Sequence, residues 1–428
     1  MRYLISLLAI VLFLLQTGLV LKGDTCISKY WNPVWILFSG LVIMGLYFFA
    51  SCRDFSSSEA KQARSWHYVI PLLLFAALIF EGIGLHLDFL KFPHPDLISD
   101  VNPQLETLMA RALKGQQPYY SMSVHGTHPY PVYMPMHWLP IAIPTFLGID
   151  PRWTGFIGLG VIVLLFAWIY RKTPLRLIPI LFACVVINWF IYSNGQDLAV
   201  TYELLIAAYY LFLAAAISKD NIVLITIGVI CCLLSRYTFV FWCPGFAILL
   251  WVYGSKSKSY LLWGWVIAAC CGLYIFPFLL RDPSILRQGL IYHNNAAIYD
   301  WNGSGNPPIS WTHENGISFA SMLENIIPGT GEKQVMVVRE IQAGIMILIF
   351  IAGVYCYRFF KGKMSVTQYS LPMLYLVMML FYLFSPLTYR YYWISPLLIA
   401  GFLAGKIVQY SIRPIVSTPV MHKATGSV

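Results

Sequence analysis

Long apolar runs separated by short polar segments dominate the chain. A helix needs about 20 apolar residues to cross the hydrocarbon of a bilayer, and several runs approach that length. The predicted spans are residues 3–22, 33–50, 67–88, 154–170, 177–193, 199–217, 222–235, 238–253, 260–280, 340–360, 367–384 and 390–408. This pattern predicts an all-α polytopic membrane protein with about 12 transmembrane helices.

A further apolar stretch, residues 131–149, contains four prolines. Proline inside a helix removes a hydrogen bond and clashes with the preceding turn. We therefore expect this stretch to be re-entrant or broken rather than to cross the membrane.

The basic residues predict the orientation of the chain. If the N-terminus is cytoplasmic and 131–149 does not cross, more than half of the 28 lysines and arginines lie in short inner segments. This distribution follows the positive-inside rule, and it places two long loops, 89–153 and 281–339, outside. The predicted organisation is two N-terminal spans with a cytoplasmic loop at 1–66, a membrane catalytic domain at 67–408 and a cytoplasmic tail at 409–428.

The composition excludes several classes of protein. Hydrophobic residues make up 59% of the chain and charged residues 11%, whereas a soluble domain averages about 45–50% and about 25%. The net charge of +10 is spread over many short loops, so we expect membrane lipids as partners and no nucleic acid. We expect a multi-pass protein of a bacterial inner or plasma membrane.

Ionisable residues inside the predicted spans lie on one side of the membrane. In this topology five residues in or directly beside the spans fall in the outer half or at the outer end of a helix, whereas the inner halves carry none beyond the helix ends. The five are Glu81, Asp197, Glu203, Arg236 and Arg390. Because such residues are costly in a bilayer and often functional, this distribution indicates a cavity open to the extracytoplasmic side. The alternative is that each charge reaches the interface or pairs with a neighbour.

A short amphipathic helix is predicted in the first outer loop. Asn102 and Pro103 suit a helix start, apolar residues recur at helical spacing, and Gly115 suits its end. We expect this helix to lie on the membrane surface. Asp100 comes just before it, either as a capping carboxylate or as a functional group.

Three sequence patches follow one another in a characteristic order. They are Asp100 with Gly115-Gln116-Gln117-Pro118-Tyr119 and Tyr133-Met134-Pro135, then Asn194-Gly195-Gln196-Asp197 as the start of a middle span, then Ser385-Pro386-Leu387-Thr388-Tyr389. Together they resemble the C-type integral-membrane glycosyltransferases (the GT-C fold), and are most similar to glycosyltransferase family 87, the polyprenyl-phosphate-mannose-dependent mannosyltransferases.

The resemblance implies a hexosyltransferase. It would transfer a hexose, with mannose favoured, from a polyprenyl-phosphate donor to a lipid or glycan acceptor at the extracytoplasmic face, with inversion. Asp100 would be the general base, and Arg236 and Arg390 would bind the donor phosphate. The sugar- or acceptor-binding candidates are Tyr119, Tyr133, Asn194, Gln196, Tyr391, His293 and His313.

One departure from the family changes these expectations. The family's last patch continues with histidine, whereas this chain has Arg390-Tyr391-Tyr392, so the role of that histidine is open here. His293 and His313 in the second outer loop are the candidates to replace it, and the alternative is that each is a solvated loop residue. We expect no metal or other cofactor, because no DxD pair is evident and a monophosphate donor needs no metal to bridge a pyrophosphate. Two alternatives stay open at this point: a polysaccharide polymerase, which would depend on arginines, and a lipid or glycan flippase, which would be expected to show an internal repeat.

Overall fold

The computed structural model describes residues 1–22, 27–52, 66–93, 99–124, 128–158, 160, 178–303 and 310–412. Within these ranges there are no strands, so the predicted all-α class is confirmed for the described chain. The longer helices are α1 (Arg2–Lys22), α2 (Asn32–Cys52), α3 (Trp66–Lys91), α4 (Val101–Leu113), α5 (Ile178–Ala199), α6 (Glu203–Ser218), α7 (Ile222–Leu233), α8 (Cys243–Tyr253), α9 (Lys256–Cys270, continued by a π-helix to Leu279), α10 (Ile285–Trp301), α11 (Gly331–Phe360), α12 (Val366–Leu383) and α13 (Ile394–Ile412).

Several of these helices have the length and composition of membrane spans. Among the described residues six qualify, namely Arg2–Lys22, Asn32–Cys52, Lys256–Leu279, Gly331–Phe360, Val366–Leu383 and Arg390–Ser411. Shorter apolar helices occupy the sequence positions of other predicted spans. Most of span 154–170 and the tail from residue 413 lie outside the described residues, and the number twelve stays a prediction.

The two N-terminal helices belong to the main core. α1 and α2 pack against each other and against α13. The side-chain amide of Gln16 joins α1 to α12: its Nε2 is 2.5 Å from the Tyr375 hydroxyl oxygen, and that hydroxyl donates to Gln16 Oε1 at 2.8 Å. Residues 1–66 therefore contribute two helices to the same packed core as the 67–408 segment.

The proline-rich stretch 131–149 is broken, as predicted. It forms three short helical turns, Pro135–Trp138, Leu139–Ile141 and Ala142–Phe146. The Met136 amide donates to the Leu234 carbonyl oxygen at 2.8 Å, which ties the first turn to the end of α7. Whether the stretch crosses the membrane stays a prediction.

The predicted helix after Asp100 is present as α4, but its apolar face does not lie on the membrane. Leu105, Leu108 and Met109 are buried against protein, in a cluster that includes Trp138 and Ile285. The periodicity identified the helix and its buried face, whereas the surface that covers this face comes from distant parts of the chain.

The turn after α4 is locked by one side chain. Gly115 takes a positive φ of 69°, which ends the helix in a conformation that glycine adopts without strain. Arg111 then donates to the carbonyl oxygens of Pro118, Tyr120 and Ser121 at 3.0, 2.7 and 3.2 Å. These bonds fix the segment that carries Tyr119.

Candidate functional site

A cavity of about 390 Å³ lies where the N-terminus of α4 and the C-terminus of α5 meet α10 and the turn before α13. Five of the predicted site residues line it: Asp100, Tyr133, Gln196, His293 and Tyr391. Further lining residues are Ser99, Val101, Gln104, Val132, Asp197, Val200, Tyr292, Ala296, Leu387, Tyr389 and Tyr392. The fold thus brings together predicted residues from five separate parts of the sequence.

Asp100 occupies the N-cap position of α4 without capping it. Its backbone has φ −82° and ψ −8°, and its side chain makes no cap hydrogen bond. The carboxylate oxygen Oδ2 instead accepts from Gln104 Nε2 at 2.7 Å and from the Tyr292 hydroxyl at 3.4 Å. The capping alternative is therefore wrong, and the carboxylate belongs to the cavity wall.

Tyr292 remains a proton donor beside this carboxylate. Burial, together with the nearby negative charge of Asp100, raises the pKa of Tyr292 to about 12. At neutral pH the phenol is protonated, so it can donate to Asp100 but cannot take a proton from a substrate. Asp100 is the group in this pair that can accept one.

His293 is held by the arginine at the end of the second outer loop. Arg339 Nη2, on α11, lies 3.2 Å from His293 Nδ1. Burial, followed by the Arg339 charge, lowers the pKa of His293 to about 4, so the imidazole is neutral at pH 7. Because a guanidinium can only donate, Nδ1 is the acceptor and the remaining proton is on Nε2.

The two arginines predicted to bind phosphate each face a carboxylate. Arg236 forms a buried ion pair with Glu203, and its guanidinium carbon lies 4.7 Å from the Tyr392 ring centroid. Arg390 interacts electrostatically with Asp197, which lines the cavity. Neither arginine is among the cavity-lining residues, and their phosphate-binding role stays a prediction.

Tyr119 and His313 lie away from the cavity. Tyr119 is buried, donates to the Tyr133 carbonyl oxygen at 2.9 Å and accepts from Trp138 Nε1 at 3.1 Å, so it holds the backbone of a lining residue. His313 Nδ1 lies 3.0 Å from Glu324 Oε2, and burial lowers the pKa of its imidazole. Of the two candidates to replace the family's histidine, only His293 lines the cavity.

The Asn194–Asp197 patch does not start a span. It lies in the last turns of α5, which ends at Ala199. Gly195 is required there by packing, because a Cβ at this position would collide with the Asp88 carboxylate of α3. The next two residues, Gln196 and Asp197, line the cavity.

Tyrosines form one side of the cavity. Tyr389 stacks on Tyr391 with 5.3 Å between ring centroids and 8° between the ring planes, and Tyr391 meets Tyr392 edge-on at 4.7 Å. Aromatic faces suit the C–H faces of a sugar ring. Tyr389 is the last residue of the Ser385–Tyr389 patch, and the 3₁₀ turn Arg390–Trp393 follows it directly.

Sequence reasoning missed Gln104, Tyr292 and Arg339. Gln104 lies one helical turn after Asp100, and Tyr292 directly precedes His293, so proximity along the chain was an available signal. Arg339 comes just before the predicted span 340–360, a position that is typical of a charge at the membrane interface. Its contact with His293 depends on the packing of α10 against α11.

A second and larger cavity, of about 620 Å³, lies along another face of α4. It is lined by Pro93, Asn102, Pro103, Glu106, Thr107, Ala110, Asp150, Pro151 and Arg152. Arg152 binds the Asp150 carboxylate at 2.6 Å. Asn102 is two residues from Asp100, so the two cavities meet the same end of α4.

Within the described ranges, no group of three or more His, Cys, Asp or Glu side chains could hold a metal ion. Comparisons of the chain with family models, with curated proteins and with solved structures gave no match. The functional argument therefore rests on the chemistry of the cavity.

Proposed function

We propose that this protein is an integral-membrane glycosyltransferase of the GT-C type, which transfers a hexose from a polyprenyl-phosphate donor to a lipid or glycan acceptor at the extracytoplasmic face. Mannose is the favoured hexose. Asp100 is the general base, and the reaction inverts the anomeric centre.

The observation that carries this proposal is the state of Asp100. The carboxylate stands at a helix N-terminus without bonding the helix backbone, so its position is not explained by capping. It faces a cavity that also contains stacked tyrosines, an amide and a neutral histidine. This combination of a base, aromatic faces and polar side chains suits a sugar.

The proposed chemistry balances within this cavity. The acceptor hydroxyl oxygen attacks the anomeric carbon while its proton passes to Asp100, and the bond from that carbon to the phosphate oxygen breaks. The electron pair leaves with the polyprenyl phosphate. The larger cavity, which Asn102 and Pro103 line near the same end of α4, is the proposed place of the acceptor.

A carboxylate-to-amide pair of variants tests this assignment. Asp100→Asn should retain expression and donor binding but lose at least about a hundredfold in turnover, the low end of a general-base contribution. Glu332→Gln, an exposed carboxylate in the first turn of α11, is the matched control and should transfer normally. Near-normal transfer by Asp100→Asn would overturn the assignment of the base.

A further inference from the structure

The cavity of about 390 Å³ that Asp100 lines is called the main cavity below. The arginine charges around it are not equally compensated by carboxylates. Arg236 is paired with Glu203, and Arg390 faces Asp197. Arg339 forms no ion pair with any carboxylate in the part of the chain that the structure describes. Its buried Nε, like those of Arg236 and Arg390, has no hydrogen-bond partner there, so the ion pairing is what distinguishes the three. Of these three guanidinium groups, Arg339 has the charge most available to an anionic ligand.

His293 links this charge to the cavity. Since Arg339 occupies Nδ1 as a donor, the cavity-lining imidazole keeps its proton on Nε2. It can therefore offer a neutral N–H donor while the guanidinium behind it supplies positive potential. A phosphate oxygen is the ligand atom that both features favour, because charge-assisted hydrogen bonds to phosphate are stronger than those to neutral acceptors.

The same helix also reaches the general base. Tyr292 donates to Asp100, and the next residue, His293, contacts Arg339. Successive residues of α10 thus contact the proposed base and Arg339, whose positive charge lies behind His293 and is not itself among the lining residues. A transfer reaction needs the base and the leaving phosphate on opposite sides of the anomeric carbon, and successive side chains of a helix point about 100° apart.

We infer that His293 and Arg339 form the phosphate-binding end of the main cavity, in preference to Arg236 and Arg390. The ligand is the phosphate of an isoprenoid lipid, with or without its sugar. Arg339 acts both as the cation and as the group that fixes the tautomer of His293. This inference rests on the proposed function, because that function supplies the phosphate donor.

The test measures lipid binding without turnover. Full-length protein in lipid nanodiscs is titrated with a short-chain isoprenyl phosphate and, separately, with the corresponding isoprenyl alcohol. Arg339→Gln should weaken binding of the phosphate by at least about tenfold, since a hydrogen bond to a charged group contributes about that factor or more. Arg339→Lys, which keeps the charge, should stay within about threefold of wild type, and affinity for the alcohol should not change.

Two further variants complete the test. His293→Leu should weaken phosphate binding by about fivefold, the effect of one hydrogen bond. Arg287→Gln removes an exposed arginine from the same helix, α10, and should bind as wild type does. Thermal unfolding of each variant checks that the fold is retained.

The outcomes separate the inference from the proposed function. Equal phosphate affinity in wild type and Arg339→Gln overturns the inference alone, as does a loss in Arg339→Lys as large as that in Arg339→Gln. Unchanged binding by His293→Leu overturns the part assigned to His293. If the wild type does not prefer the phosphate to the alcohol, both the inference and the phosphate donor of the proposed function fail. Selective binding that depends on Arg339 supports the inference even if no hexose is transferred.

Discussion

Polar side chains in the packed helical core and those around the main cavity differ in how far their hydrogen bonds and charges are partnered within the protein. In the core, Gln16 and Tyr375 bond each other, and behind the cavity wall Glu203 neutralises the buried Arg236. Around the cavity, Asp100 and His293 are each held on one side by a neighbour and face open space on the other. Buried polar groups that bond one another stabilise a fold, whereas groups that are oriented but left accessible can act on a ligand. The comparison predicts that substitutions in the core change stability and substitutions at the cavity change activity.

The ion pair of Glu203 and Arg236 should give the largest effect on stability. Glu203→Gln leaves a buried guanidinium unpaired and should lower the free energy of unfolding by about 3 kcal/mol. Replacing both residues, as Glu203→Leu with Arg236→Met, should recover much of that loss. Unfolding in detergent measures both effects. If the double variant is stable but no longer binds the donor phosphate, Arg236 is a phosphate ligand. Its role is then in binding and not only in stability, contrary to the comparison above.

The bond between α1 and α12 should give a smaller effect. Tyr375→Phe removes the hydroxyl that bonds Gln16 and should cost about 1 kcal/mol of stability. Transfer per folded molecule should stay at the wild-type value, because this pair lies in the core. A fall in turnover without a fall in stability would mean that the packed core also controls the cavity.

Tyr292→Phe should lower turnover without lowering stability, the reverse of Tyr375→Phe. It removes a weak donor to Asp100, at 3.4 Å, and should lower turnover by about threefold, which is less than one full hydrogen bond. Its unfolding temperature should match the wild type. The comparison would be wrong here if the variant lost stability and kept its turnover.

The pH dependence of phosphate binding should be the subtlest effect. The charged groups that act on His293 are Arg339 and Arg236, both positive, and with burial they lower its pKa to about 4. A lowered histidine pKa means the neutral form persists until the pH falls to about 4, so His293 should add no transition to wild-type binding between about pH 5 and pH 8. In Arg339→Gln the His293 pKa should rise but stay below its ordinary value of about 6.5, because burial, the largest cause of the lowering, remains. The affinity deficit of this variant should therefore shrink as the pH falls from about 7 to about 5, and a constant deficit would contradict the proposed coupling.

The sequence predicted local structure well where periodicity and proline determine it. The helix after Asp100 and the broken stretch 131–149 are both present. What covers a helix face depends on contacts between distant segments, so the apolar face of α4 was wrongly expected on the membrane. The same limit applies to the site: Asp100 and His293 could be singled out by residue type, whereas the burial of Tyr119 and the Arg339 contact depend on tertiary packing.

The most direct test is a transfer assay with wild-type protein in lipid nanodiscs. The protein is given a panel of radiolabelled polyprenyl-phosphate hexoses, mannose included, together with lipid and glycan acceptors, and both the glycosylated product and the released polyprenyl phosphate are measured. The proposed function predicts equal amounts of the two products, with inverted anomeric configuration, and their loss in Asp100→Asn. Absence of transfer from every donor, combined with movement of the intact lipid-linked sugar across a vesicle membrane by the same preparation, would contradict the transferase and indicate a flippase.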